Sequence, residues 1–265
     1  MQYALLTGGH SGIGLALSDI LLQQGYHLGW IVRSEQRGRE AQTEVPNGAS
    51  IDLFVADLSN QSEVQAVAKK VMEQWPAVHL LFNNAGVLLG SLQHSPQGNE
   101  MHYEVNTLCP YLLTQSLAPL LQATEGSQVL NTATGGLDSQ KAIKLHELIQ
   151  PESVTKLFGA YLTSKLAMTL LMQELAKELP GVQVKTVDPG PNKTKMTKGE
   201  GMPRWLMPLR NLFFPAPTKG GTLLWKATQI EGAATGTYIR GNKPRKMRLT
   251  LTSDQKEKLL GGLKK

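Results

Sequence analysis

The stretch that most limits what this chain can become is Tyr3-Ala4-Leu5-Leu6-Thr7-Gly8-Gly9-His10-Ser11-Gly12-Ile13-Gly14. A short apolar run enters a glycine-rich turn, and a helical pattern follows, with Ile13, Leu17, Ile20 and Leu21 at helical spacing and Gly25 as its stop. Strand, glycine loop and helix in that order let backbone N–H groups and a helix dipole hold a phosphate. A glycine-rich turn with no ligand is the plain alternative. The alternation continues, with apolar runs at 28–32, 51–56, 78–82, 128–132, 182–187 and 237–240 separated by amphipathic stretches. It predicts an α/β fold, a doubly wound parallel sheet with helices on both faces.

Composition narrows the class. A chain of 265 residues can bury a sizeable core in one domain, and 41% apolar with 18% charged residues is ordinary for a globular protein. The single Cys109 excludes an internal disulfide framework and a Cys-rich metal site, and suits a reducing compartment, so a cytoplasmic location is expected. His146 stands alone, so no metal site is read there. No apolar run reaches the roughly 18 residues of a membrane span. The first strand pattern begins at Gln2, so no signal peptide is expected. Of the net charge of +6, residues 240–265 hold nine Lys/Arg against Asp254 and Glu257. No aromatic interleaving or nucleic-acid-binding signature accompanies them, so no nucleic acid partner is expected. One domain over 1–240 followed by a solvated basic tail over 241–265 is the expected organisation.

Four further segments carry chemistry. Tyr161 and Lys165 lie four positions apart on a helix expected over 153–179, where they share a face. The ammonium can lower the phenol's pKa from about 10, although a surface pair is the bland reading. Asn106 lies in a helix expected over 99–121, four residues before Pro110. Proline has no N–H, so the Asn106 carbonyl should be left free for a water, unless this is an ordinary proline kink. The run at 78–82 ends in Asn83-Asn84-Ala85-Gly86, and that at 182–187 in Asp188-Pro189-Gly190-Pro191-Asn192-Lys193-Thr194. With Thr7 to Gly14, these segments resemble, in order and spacing, the short-chain dehydrogenase/reductase family over nearly the whole chain. Lys144 to Leu148 and the long insert between Thr134 and Tyr161 resemble its retinol-dehydrogenase-like branch.

The resemblance implies a single-domain Rossmann-type enzyme that moves a hydride between a nicotinamide and a carbonyl or alcohol. Tyr161 would be the acid/base, Lys165 would lower its pKa and bind the nicotinamide ribose, and the Asn106 carbonyl would hold a relay water. Thr134 falls where the family carries its catalytic serine, and its extra methyl sets this chain apart; Thr132 is the weaker candidate. Cofactor contacts are implied for Thr7, Gly8, His10, Ser11, Gly12, Ile13 and Gly14, for Asp57-Leu58 beside the adenine, for Asn84, Ala85 and Gly86, and for Pro189, Gly190 and Thr194. Asn192 stands where the family motif has valine.

The second strand pattern runs into Arg33 and Ser34, whose guanidinium and hydroxyl suit a ribose 2′-phosphate. Glu35 is the rival and would suit a 2′-hydroxyl. Arg33 follows the strand end directly, which favours NADP over NAD, and Arg37 and Arg39 read as surface residues. The stretch 195–217 alternates apolar side chains with prolines and reads as a lid over a hydrophobic substrate; a membrane surface or a subunit contact are the other readings. Helices at 99–121 and 153–179 would allow a homodimer or homotetramer. A non-catalytic NADP-binding sensor or scaffold is the alternative function. A sugar-nucleotide epimerase is disfavoured by the glycine spacing and the length.

Overall fold

The computed structural model describes residues 1–45, 51–153, 156–157 and 159–264. One sheet holds β1 (Gln2–Thr7), β2 (Tyr26–Val32), β3 (Ile51–Val55), β4 (Leu80–Asn83), β5 (Gln128–Thr132), β6 (Gln183–Asp188), β7 (Thr237–Arg240) and β8 (Lys243–Arg245). Their order is β3-β2-β1-β4-β5-β6-β7-β8, parallel through β7, with β8 antiparallel at the edge. The helices are α1 (Gly12–Gln23), α2 (Glu35–Gln42), α3 (Gln61–Gln74), α4 (Cys109–Ser116), α5 (Ala118–Ala123), α6 (Leu145–Ile149), α7 (Ala160–Glu178), α8 (Met207–Phe213), α9 (Pro217–Thr228) and α10 (Ser253–Leu260). This is the expected α/β architecture.

The two-residue period of β1 divides the core. Leu5 is buried with residues of α3, α4 and α7 on one face, and Ala4 and Leu6 with residues of α1 and α9 on the other. Each leucine so buried contributes roughly 1.5–3 kcal/mol. Strand order reverses at β1, which has β2 on one side and β4 on the other. Such a reversal opens a crevice beyond the carboxyl ends of the strands, and the site lies there.

Three expectations are corrected. The helix expected over 99–121 begins at Met101, passes through a π-helix at Tyr103–Leu108, and continues as α4 and α5. Pro110 at the start of α4 cannot donate, and the turn before it widens so that the Cys109 N–H bonds the Glu104 carbonyl, five residues back. Second, α7 starts at Ala160 rather than 153; residues 154, 155 and 158 of that stretch lie outside the described residues.

Third, the stretch expected as a basic tail is folded. α10 starts with a Thr252 capping box, Leu259 is fully buried, and the Tyr103 hydroxyl donates to the Leu259 carbonyl at 2.5 Å. Gln61 and Asn99 side-chain amides each donate to the Gly262 carbonyl at 2.8 Å. The basic charge masked an apolar set, because Leu249, Leu251, Leu260 and Leu263 also pack on the core.

Candidate active site

The turn after β1 builds the first wall. Gly12 has a φ of 55°, and a Cβ on Gly14 would stand 2.3 Å from the Gly8 carbonyl oxygen, so only glycine lets α1 start this close to β1. Ser11 is the exposed N-cap of α1, but its side chain makes no cap bond, so the N–H groups of the first turn are uncovered. Ile13 packs inward on the core. His10 Nδ1 is buried without a partner. Burial holds the His10 pKa below its usual range, and the nearby charges of Arg37 and Lys195 add to the effect. Thr194 closes the wall, since a Cβ on Gly12 would meet its methyl at 3.3 Å. Bare N–H groups, an orphaned imidazole nitrogen and converging basic charge fit a dinucleotide's pyrophosphate.

Thr7, expected at the cofactor, is instead buried in the fold. Its hydroxyl donates to the Phe82 carbonyl at 3.3 Å and accepts the N–H groups of Asn84 and Ala85, each at 2.9 Å. It latches β1 to the loop after β4. At the ribose end, Ser34 caps α2 by accepting the Arg37 N–H at 3.3 Å. Glu35 is paired with Arg39 at 2.5 Å, whereas Arg33 is exposed and bonds none of the described residues. Asp57 closes a turn through Ser59, whose N–H and hydroxyl donate to Oδ1 at 2.9 and 2.8 Å. The Leu58 side chain packs on the core.

At the other end of the crevice α7 presents Tyr161, Ser164 and Lys165 from its buried face. Burial pushes the Tyr161 phenol up to about 12; the Thr134 side chain beside it pulls it down and the Asp188 charge raises it. Lys165 Nζ donates to the Thr132 carbonyl at 2.8 Å, and burial pushes its pKa down to about 8. The expected lowering of the phenol by the ammonium is therefore not what dominates here, because desolvation outweighs the pair. Thr132 points its hydroxyl at Asn84 Oδ1, 3.5 Å away, rather than at the phenol.

Asn106 uses its whole side chain within the fold. Its amide donates to the Val87 carbonyl at 2.9 Å and the Ser164 hydroxyl at 3.1 Å, and its oxygen accepts the Val87 N–H at 2.8 Å. Gly86 lies between it and the lysine: a Cβ there would be 2.9 Å from Asn106 Oδ1 and 3.3 Å from Lys165 Nζ. The π-helix is thus clamped to both α7 and the loop after β4.

Four features escaped the sequence. Asp188 ends β6 beside the phenol, is buried, and accepts the Gly190 N–H at 2.8 Å. Its carboxyl is raised mainly by burial, then eased by the Gly190 N–H and Arg240 and raised again by Asp138. An acid at a strand end before Pro-Gly was the available signal. His102 is fully buried, pairs with Glu100 at 2.6 Å, accepts the Leu89 N–H at 2.9 Å, and sets its ring edge-on to Tyr161 at 6.5 Å. Arg37 is exposed, as expected, yet its charge and that of Lys195 are felt at His10. Finally, Asn192 donates to the Pro189 and Gly190 carbonyls at 3.0 and 2.8 Å and accepts the Gly220 N–H at 3.1 Å, tying the loop to α9. Over Tyr161 lie Leu88, Met196, Met202, Leu206, Met207 and Phe214.

Residues 2–143 match the family described as short chain dehydrogenase. Retinol dehydrogenase 11 of Mus musculus is 33% identical over 236 residues, which is 87% of this chain and 74% of that protein. Retinol dehydrogenase 14 of Mus musculus is 31% identical, covering 89% of this chain and 72% of that one. Among solved structures, an NADP active-site complex of Pseudomonas aeruginosa RhlG superposes with a TM-score of 0.71 at 25% identity, covering 91% of this chain and 94% of that one. Salutaridine reductase from Papaver somniferum shares the fold, with a TM-score of 0.69 at 18% identity over 90% of this chain and 99% of that one. The chain belongs to the short-chain dehydrogenase family, in its retinol-dehydrogenase-like branch, and is an oxidoreductase that works with a nicotinamide cofactor.

Proposed function

We propose that this enzyme moves a hydride between NADP(H) and a carbonyl or alcohol carbon of a hydrophobic small molecule, with Tyr161 as acid/base. The observation that carries this reading is a buried phenol, with the Thr134 side chain beside it, beneath an apolar lid at the mouth of the glycine-loop crevice. When bound, the nicotinamide supplies or accepts the hydride. Tyr161 gives its proton to the substrate oxygen during reduction and takes it back during oxidation. Thr134 holds that oxygen by a hydrogen bond. Lys165 stands ready for the ribose hydroxyls and for the phenol, at the price of leaving the Thr132 carbonyl. Asn106 fixes the turn of π-helix whose carbonyl would hold a relay water.

NADP is favoured over NAD because Arg33 is uncommitted while the rival Glu35 is held by Arg39. Arg37 and Lys195 add charge beside His10, on the pyrophosphate wall. A reducing cytosol suits the buried thiol of Cys109. The test is a fluorescence titration with NADPH and NADH alongside turnover on a panel of aldehydes and ketones. Tyr161→Phe should abolish turnover and leave NADPH binding within about threefold. Turnover retained in that variant removes Tyr161 from the mechanism, and tighter binding of NADH removes the preference assigned to Arg33.

A further inference from the structure

Among the described residues six large apolar side chains are strongly exposed, and four of them are Trp205, Leu209, Leu212 and Phe213. They recur at helical spacing along the 3₁₀ turn at Arg204–Leu206 and α8, and so form one stripe. Leu206, Met207 and Phe214 turn the other way and pack with Met202 and Tyr161. The lid is therefore apolar on both faces. Leu212 is 74% and Phe213 67% exposed, which is costly for a face that meets only water.

The charge around the stripe is one-sided. Residues 193–219 hold six Lys/Arg against Glu200 alone. Arg210 is buried, donating to the Thr194 carbonyl and the Thr197 hydroxyl, each at 3.1 Å. Lys193, Lys195, Lys198, Arg204 and Lys219 are all exposed. A cavity of about 490 Å³ is lined by Lys156, Lys198, Glu200 and Arg204 and reaches Met202 and Met207, which pack with Tyr161. We propose that the outer face of α8 seats on an anionic lipid surface, with Trp205, Leu209, Leu212 and Phe213 dipping below the headgroups and Lys198 and Arg204 pairing with lipid phosphates and carboxylates. No helix among the described residues is long and apolar enough to cross a membrane, so the contact is interfacial. A second copy of the chain is disfavoured as the occupant, because a two-fold contact would set Lys198 and Arg204 against their own copies. A corollary, which rests on the function proposed above, is that a lipophilic substrate passes from the bilayer into the cavity.

The test needs no turnover. The full chain is floated with vesicles of phosphatidylcholine alone and with about one-third phosphatidylserine, while Trp205 emission is followed as the difference between wild type and Trp205→Phe, since the chain has four tryptophans. Binding should be at least about tenfold tighter to the anionic vesicles, weaken with salt, and shift the emission to the blue. Leu212→Asp with Phe213→Asp, and separately Lys198→Glu with Arg204→Glu, should each lower anionic binding at least about tenfold while NADPH binding is unchanged. Absence of vesicle binding, or binding equal to wild type in both variants, overturns the proposal. Loss of a dimer by sedimentation in those variants, without vesicle binding in the wild type, would assign the face to a second copy instead.

Discussion

Tyr161 and Lys165 are four residues apart, yet burial moves them in opposite senses, the phenol up to about 12 and the ammonium down to about 8. Lys165 binds its proton less tightly folded than unfolded, so stability rises with pH between about 8 and its ordinary 10.5. Tyr161 acts the other way only above 10, where the unfolded phenol ionises first. Lys185, also lowered by burial, adds to the rise. The measurable quantity is therefore a difference: between pH 8 and 10 the unfolding free energy of wild type should climb relative to Lys165→Met by up to about 1.4 kcal/mol per pH unit, read by urea titration. A parallel course would mean that Lys165 is not desolvated. At Thr134, substitution by Ala should lower kcat about 10²–10³-fold, the usual loss for a donor aimed at a reacting oxygen, and substitution by Ser should keep or raise it. The spacing of the pair was legible in the chain; the sign of the pKa shifts was not, because burial is set by residues such as Leu88 and Met202 that are remote in sequence.

At the scale of the element, the loop after β6 shows how a departure from a family motif can be absorbed. A valine at position 192 would strand the Gly220 N–H and remove the amide that the Pro189 and Gly190 carbonyls accept from, all around a buried side chain. Asn192→Val should therefore destabilise the protein by about 1–3 kcal/mol and weaken NADPH binding, measured by thermal melts with and without the dinucleotide. Unchanged stability and binding would show that the loop is held by other contacts. The π-helix is the second case. Pro110 announced a lost donor, but whether the chain would kink or widen could not be read locally. The widened turn at Tyr103–Leu108 sets Asn106 and Thr107 against α7, where they bond Ser164 at 3.1 and 2.9 Å.

Across the whole molecule, the C-terminal segment closes the fold on the element that carries Asn106. The Tyr103 hydroxyl reaches the Leu259 carbonyl, and Glu104 of the same π-helix accepts from Gln61, Ser95 and Asn99 at 2.9, 2.9 and 2.7 Å. Gln61 and Asn99 in turn hold Gly262. Leu259→Ala should cost about 2–4 kcal/mol, because it empties a fully buried position, and should lower kcat through the π-helix more than it raises KM for NADPH. A melt unchanged from wild type would return this segment to the status of a tail.

By itself the sequence determined the sheet, the order of its strands' motifs and the family of the site. Those depend on short-range properties: a period of two against a period near four, glycines where backbone must approach backbone, and fixed spacings such as Tyr161 to Lys165. Tertiary structure alone decided which candidates face the crevice. Thr7, Asp57, Leu58 and the Asn106 side chain spend their contacts inside the fold, whereas Asp188 and His102 stand beside Tyr161. It also folded the basic C-terminus onto Tyr103. The physical reason is that a side chain is placed by the packing around it: the partners of Thr7 and Tyr103 lie 77 and 156 residues away, and even the short-range pairs Asp57–Ser59 and His102–Glu100 are buried or exposed by elements remote in sequence.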